Sequence, residues 1–311
     1  MLAGALTARG KTNRRQGWSE MSSESETDQK PFGMPDDELA AYPTVFRDNL
    51  FDGQVVLVSG AGSGLGKAIA FLFARLGADL VICGRNRDKL DVTAERLRGF
   101  GADVDVHAMT IRDPEQVDAM FAAAWKKFGR LDVLINNAGG QFPQPAIDFS
   151  VKGWNAVIDT NLNGSWYMMQ AAARHWRDAE HPGCIVNIVA NFWRGMPDIA
   201  HTGAARAAVT YLSRSLAVEW APLRIRVNCV APGVVETEGF NVYPKEASAK
   251  FRYANPMLRT GDVMDVAEAC VYVAAPSGKF LNGECITVDG GQQMWGDNWA
   301  YAKPDYYNIP D

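Results

Sequence analysis

Apolar positions along the chain fall into two alternating patterns. Short, nearly continuous apolar runs occur at 55–58, 80–83, 104–108, 133–136, 185–189, 225–230 and 285–288. A run without polar alternation is a strand buried on both faces, as in a parallel sheet. Between the runs lie stretches with helical spacing of apolar residues, at 67–76, 88–100, 114–128, 154–177 and 204–220. Strict alternation of the two patterns, with no internal repeat, predicts an α/β fold. Its core is a single doubly wound parallel sheet of about seven strands with helices on both faces. Ligands in such sheets sit beyond the carboxyl ends of the strands, so candidate site residues are sought in the loops that follow the runs.

Three segments depart from the alternation. Residues 1–48 are polar between 11 and 30, with Arg14, Arg15 and a Ser- and Glu-rich stretch, and the first eight residues are too short and too weakly apolar for a signal peptide. This segment is expected to be an unordered extension, with Met21 and Met34 as alternative starts. The single domain is then expected over 49–291. Within it, 237–259 has no clear period but carries Phe240, Tyr243, Phe251 and Tyr253. Two readings stand equal there: a mobile substrate lid, or a surface helix pair whose aromatics complete the core. Residues 292–311 form an aromatic tail with Trp295, Trp299, Tyr301, Tyr306 and Tyr307, expected to dock on a neighbouring subunit.

Composition narrows the partners. With 47% hydrophobic and 22% charged residues, the 311-residue chain has a soluble globular balance. A net charge of −5 gives no basic field for nucleic acid. No run reaches the ~18 apolar residues of a membrane span. Cys83, Cys184, Cys229, Cys270 and Cys285 are dispersed without a C-x-x-C pair. They are expected to be reduced core residues of a cytoplasmic protein, and no metal site is expected.

The first run leads into Ser59-Gly60-Ala61-Gly62-Ser63-Gly64-Leu65-Gly66-Lys67. Glycines there permit a tight turn and close backbone approach to a pyrophosphate, and the helix starting near Leu65 offers its N-terminal N–H groups. Placed after a buried strand and before an amphipathic helix, the turn makes the fold Rossmann-type and its ligand a dinucleotide. The second run ends at Cys83-Gly84-Arg85-Asn86-Arg87, with no acid before Asp88. An acid at that place would bind the ribose 2′-hydroxyl; an arginine accommodates a 2′-phosphate, so NADP(H) is favoured over NAD(H).

These residues, taken with others, resemble the short-chain dehydrogenase/reductase family. The resemblance rests on Gly60-x-x-x-Gly64-x-Gly66, on Asn136-Asn137-Ala138-Gly139, and on Asn161 within Asp159-Thr160-Asn161-Leu162-Asn163-Gly164. It rests also on Pro232-Gly233-Val234-Val235-Glu236-Thr237 and Asp289-Gly290-Gly291, and spans 51–291. It implies a homotetramer and a cofactor set of Gly60, Ser63, Gly64, Leu65, Gly66, Arg85, Thr110, Ile111, Asn137, Ala138, Gly139, Arg206, Pro232, Gly233 and Val234. Most of that family use a serine, a tyrosine and a lysine for acid–base work. Here the serine place falls on Ala190 or Asn191, the tyrosine place on Thr202 and the lysine place on Arg206. A threonine hydroxyl has far too high a pKa to replace a phenol as general acid.

The stretch His201-Thr202-Gly203-Ala204-Ala205-Arg206, with Gln141, Phe142 and Trp154, is similar to a narrower branch, the peroxisomal-type trans-2-enoyl-CoA reductases and 2,4-dienoyl-CoA reductases. That likeness implies reduction of a carbon–carbon double bond conjugated to a thioester, on a small hydrophobic acyl substrate, CoA-linked or otherwise. Such a reaction needs donors aimed at the thioester oxygen and a proton for the α carbon. The candidate catalytic residues are Asn161 to hold a water or that oxygen, Thr202 to donate to it, Arg206 to fix the ribose, and His201 as proton source. Phe142, Phe192, Trp193 and Met196 are candidates for an acyl pocket. Two other readings stay open: a dehydrogenase of a hydrophobic or terpenoid alcohol or aldehyde, and a cofactor-binding pseudoenzyme with a regulatory role.

Overall fold

In the computed structural model, residues 32–243 and 248–295 are described. Seven strands form one sheet: β1 (Val55–Ser59), β2 (Asp79–Gly84), β3 (Val104–Ala108), β4 (Val133–Asn136), β5 (Gly183–Ile188), β6 (Ile225–Pro232) and β7 (Cys285–Val288). Their order is β3-β2-β1-β4-β5-β6-β7, and every pairing is parallel. The order reverses between β1 and β4, which opens the crevice that doubly wound sheets use for ligands.

Burial of both faces explains why the strands read as unbroken apolar runs. In β1, Val56 and Val58 pack into one core with α2 (Gly64–Arg75), α3 (Arg87–Gly99) and α8 (Val263–Ala274). Val55 and Leu57 face the other core with α4 (Pro114–Phe128), α6 (Ser165–Asp178) and α7 (Ala200–Glu219). Helix α8 was not among the stretches picked out by spacing. Its start is fixed by a capping box in which Asp262 and Asp265 each accept a backbone N–H of the other's turn.

The expected extension is ordered from residue 32 onward. Asp36–Ala41 forms α1, whose Leu39 is buried. Arg75 on α2 donates to the Leu39 and Tyr42 carbonyls at 3.1 and 2.7 Å, and the Tyr42 hydroxyl donates to Asp262 at 3.1 Å. A short apolar anchor and carbonyl acceptors for a half-buried arginine outweigh the polar composition of the segment. Residues 1–31, 244–247 and the tail aromatics beyond Trp295 lie outside the described residues. Among the described residues of 237–259 the chain forms two short 3-10 turns, Glu238–Val242 and Phe251–Ala254. Phe240, Phe251 and Tyr243 pack edge-on in series, with ring centroids 5.0 and 5.2 Å apart.

The 154–177 stretch divides at its centre. Helix α5 (Val151–Ile158) passes through one π-helical turn, Asp159–Gly164, into α6. Such turns appear mostly as single insertions at functional sites, and this one holds Asn161.

Candidate active site and cofactor cleft

The turn from β1 to α2 is built against the loop that follows β4. Gly60 has φ +71 and Gly64 φ +53, in the left-handed region that glycine adopts without strain. A Cβ on Gly66 would run into the Gly60 carbonyl and the Asn137 amide. The Ser59 hydroxyl accepts the N–H groups of Asn137 and Ala138, both at 3.0 Å. Asn137 Nδ2 returns two bonds, to the Ser59 and Gly60 carbonyls at 3.0 and 3.3 Å. The Asn137 amide therefore braces the turn.

Beyond this turn lies a cavity of about 740 Å³. Gly60, Ser63, Leu65, Arg85, Thr110, Ile111, Asn137, Ala138, Gly139 and Arg206 line it, as expected for a cofactor cleft. Gly64 and Gly66 shape the turn without lining the cavity; the Gly64 N–H donates to Glu238 Oε2 at 3.0 Å. Pro232, Gly233 and Val234 do not line it either. Their backbone is tied elsewhere: the Pro232 carbonyl to Asn191 N–H, Gly233 N–H to the Val288 carbonyl, and Val234 N–H to Gln292 Oε1. Asn191, one of the two residues at the serine place, donates its amide to Asp289 at 2.7 Å. Sequence reasoning missed Lys89 and Arg112 in the lining. Lys89 lies one helical turn beyond Arg85, and Arg112 directly follows Thr110 and Ile111, so spacing alone pointed to both.

Four cations face the cavity: Arg85, Lys89, Arg112 and Arg206. None takes part in an ion pair among the described residues. Arg206 is the most constrained. It is 8% exposed, donates from Nη1 to the Ile188 carbonyl at 2.9 Å, and burial lowers its pKa to about 10. A buried cation without a carboxylate is costly, and the cost is offset when a polar or anionic ligand occupies the cavity. The glycine turn, which leaves no space for a Cβ at Gly66, and these unpaired cations together fit a dinucleotide.

Helix α7 begins at Ala200, earlier than its spacing suggested, so 201–206 occupies its first two turns. Thr202 and Arg206, four residues apart, share one face. His201 and Thr202 are buried, and neither His201 Nε2 nor Thr202 Oγ1 has a hydrogen-bond partner among the described residues. The Thr202 N–H is shared between His201 Nδ1 at 2.8 Å and the Ile199 carbonyl at 2.9 Å. His201 stacks on Phe149 (centroids 4.4 Å apart) and meets Phe142 edge-on at 4.7 Å. Burial lowers its pKa. Burial thus works against the charged form that a proton source near pH 7 would draw on.

Asn161 also differs from expectation. Its Oδ1 accepts the Gly140 N–H at 2.9 Å, and its Nδ2 donates to the Gly140 carbonyl at 3.0 Å. The amide thus grips the loop after β4 with one donor and one acceptor, and Asn161 positions that loop while keeping its second N–H and second lone pair. A side chain at Gly139 would run into the Arg206 guanidinium and approach the Asn161 amide within 3.1 Å. The Asn161 clamp, the glycine and Arg206 therefore form one packed unit. Trp193, 43% exposed, leans on Phe192 with ring centroids 4.3 Å apart, and Met196 sits beside Gly203.

Comparison with known proteins gives a consistent picture. Residues 60–293 match the family model described as enoyl-(acyl carrier protein) reductase. The chain is 38% identical over 246 residues to a probable 2,4-dienoyl-CoA reductase of Bacillus subtilis, covering 78% of this chain and 97% of that protein. It is 37% identical over 274 residues to the peroxisomal 2,4-dienoyl-CoA reductase of Rattus norvegicus, covering 86% and 93%. Among solved structures, a citronellol catabolism dehydrogenase of Pseudomonas aeruginosa superposes with a TM-score of 0.73 at 36% identity, covering 81% of this chain and all of that one.

Proposed function

Because the chain belongs to the short-chain dehydrogenase/reductase family, with its NAD(P)-dependent oxidoreductase chemistry, we propose that it reduces a carbon–carbon double bond conjugated to an acyl thioester, a 2-enoyl- or 2,4-dienoyl-CoA, at the expense of NADPH. One observation carries this reading. Two buried polar atoms without hydrogen-bond partners among the described residues, Thr202 Oγ1 and His201 Nε2, stand at the start of α7, one turn before Arg206. Reduction of a conjugated thioester develops charge on the carbonyl oxygen, and donors fixed in a site that excludes water stabilise such charge most. Plain ketone reduction would ask Thr202 to give up a proton, for which its pKa is far too high.

The cofactor, when bound, supplies the hydride. Arg206 holds the nicotinamide ribose and adds positive charge beside the reacting carbonyl. Arg85, Lys89 and Arg112 form the 2′-phosphate site, and their lack of acidic partners supports NADPH over NADH. Thr202 donates to the thioester oxygen, and His201 serves as a second neutral donor. Asn161 keeps Gly139 and Gly140 in place. Phe192, Trp193 and Met196 give the mouth an apolar wall suited to an acyl chain. The expected assembly is a homotetramer, supported by exposed apolar side chains on α5 (Val151, Trp154) and α7 (Tyr211, Val218). A cytoplasmic location remains the expectation; no described helix is long and apolar enough to cross a membrane.

The test is NADPH consumption by the purified protein on addition of 2-enoyl- and 2,4-dienoyl-CoA thioesters of short, medium and long chain. Turnover that leaves a saturated or singly unsaturated acyl-CoA supports the proposal; no turnover across the series ends it. A second reading, oxidation of a hydrophobic or terpenoid alcohol, draws on the likeness to the citronellol catabolism dehydrogenase. NADP⁺-dependent oxidation of citronellol without any acyl-CoA turnover would favour it.

A further inference from the structure

Cys229 on β6 and Cys285 on β7 are direct partners in the parallel register. Their side chains lie on the same face, packed with Val189, Val209 and Phe192. Adjacent strands run about 4.7–4.9 Å apart, inside the span of about 4.4–6.8 Å that a disulfide bridges between Cα atoms. The two thiols are hydrogen-bonded to each other, and Cys229 Sγ lies 3.3 Å from the Ser213 hydroxyl. Cys229 is buried; Cys285 is half-buried on the edge strand of the sheet. The hydrogen bond from Cys285 holds the Cys229 thiol below its ordinary pKa, assisted by Ser213, Thr210 and Arg214, while the Cys285 thiol is raised. The other cysteines are fully buried: Cys184 and Cys270 lie near each other in one core, but neither is reached by solvent, and burial pushes Cys83 to about 12, Cys184 to about 11 and Cys270 higher still.

We propose that Cys229 and Cys285 form a dithiol that peroxide oxidises reversibly to an intramolecular disulfide. The expectation of five inert reduced thiols then holds for three of them. Cys285 is the sulfur that solvent reaches. As its sulfur attacks one oxygen of hydrogen peroxide, the O–O bond breaks, the thiol proton leaves with the departing hydroxyl as water, and Cys285 becomes a sulfenic acid. Cys229 then attacks the Cys285 sulfur; the S–S bond forms, the S–O bond breaks, and the Cys229 proton departs with the hydroxyl as water. The two thiols lose two electrons, and peroxide is reduced to the oxidation level of water. A small dithiol reductant opens the bridge again by thiol–disulfide exchange. The chemistry is independent of the substrate reading above.

The full-length protein treated with hydrogen peroxide should lose two of its five titratable thiols and yield one cross-linked peptide pair containing Cys229 and Cys285. Dithiothreitol should restore both thiols. Cys285→Ser should abolish the cross-link while Cys270→Ser leaves it unchanged. Sulfinic or sulfonic acid on Cys285 with Cys229 still free, or five thiols surviving in folded protein, would overturn the proposal. Phenylarsine oxide, which closes a ring over two adjacent thiols with loss of water, gives a reading that needs no variant. One equivalent bound at this pair is expected, and none bound counts against it.

Discussion

Replacing Arg206 by methionine separates what this buried cation does to the free protein from what it does for the cofactor. In the free protein the guanidinium is 8% exposed, with one hydrogen bond, to Ile188, and no ion pair among the described residues. Burial lowers its pKa from 12.5 to about 10, so holding the charge costs the folded state about 3 kcal/mol. The unfolded arginine keeps its proton to higher pH than the folded one. The whole penalty is therefore present below pH 10 and fades only as the pH rises from about 10 towards 12.5, where stability increases. Arg206→Met removes the penalty and leaves the Ile188 carbonyl without its donor, a loss of about 1–2 kcal/mol. The free variant should be more stable by about 1–2 kcal/mol, a rise of a few degrees in Tm. With cofactor the sign reverses. Loss of a charged hydrogen bond, about 1.5–3 kcal/mol, should weaken NADPH binding roughly 10- to 150-fold. Thermal unfolding with and without NADPH, beside a fluorescence titration, reads both effects. A variant that is less stable than the parent yet binds NADPH equally well would show that Arg206 is structural, and would refute the assignment.

Four further outcomes follow from the site. Thr202→Val should fold at least as well as the parent, since the hydroxyl has no partner to lose, yet lower kcat/KM for an enoyl-CoA about 100-fold with the NADPH Kd unchanged. Arg85→Ser combined with Arg112→Ser should move the ratio of NADPH to NADH affinity towards NADH by at least tenfold, in the order of one or two phosphate contacts; an unchanged ratio removes the 2′-phosphate assignment. Glu238→Gln should tighten cofactor binding about three- to tenfold, because its carboxylate takes a turn amide at the start of α2, where a pyrophosphate would compete for it. His201 has a folded pKa below its unfolded one, so its contribution to stability is present above pH 6.5 and is lost as the pH falls through the lowered value. Relative to His201→Leu, the parent should lose stability as the pH falls below 6.5, and a stability difference between the two that does not change with pH in acid unfolding would refute the lowered pKa.

Much of the fold was legible because burial on both faces writes itself as unbroken apolar runs, and the glycine turn after β1 is a short-range feature whose geometry its residues dictate. Arg85 was placed by the same logic, as a residue following a strand end, while Thr110 and Ile111 came with the family resemblance. What was not legible depended on distant partners. Leu39 and Tyr42 look like parts of a polar leader until Arg75 and Asp262 are seen to meet them. Asn161 reads as a free amide until Gly140 folds back onto both of its polar atoms. Pro232, Gly233 and Val234 carry a recognisable motif, but Val288 and Gln292, more than fifty positions away, hold their backbone out of the cavity lining. Neutral His201 depends on Phe142 and Phe149, which no local pattern joins to it.

The π turn at Asp159–Gly164 makes the length of this helix a matter of phase as well as reach. One added residue is absorbed there without breaking the rod that runs from α5 into α6. Deleting any one residue from the turn would let the two helices run on as a regular α-helix, with the far end drawn in by only about 1.5 Å. The flanking helices would keep their phase, because the π turn is what absorbs the additional residue, and the angular change would fall on the residues of the turn itself. Asn161 would swing away from Gly140 while both ends of the helix kept their packing. A single-residue indel in this turn is thus a rotary switch for the active-site wall, silent in overall shape and audible only at Gly139 and Arg206.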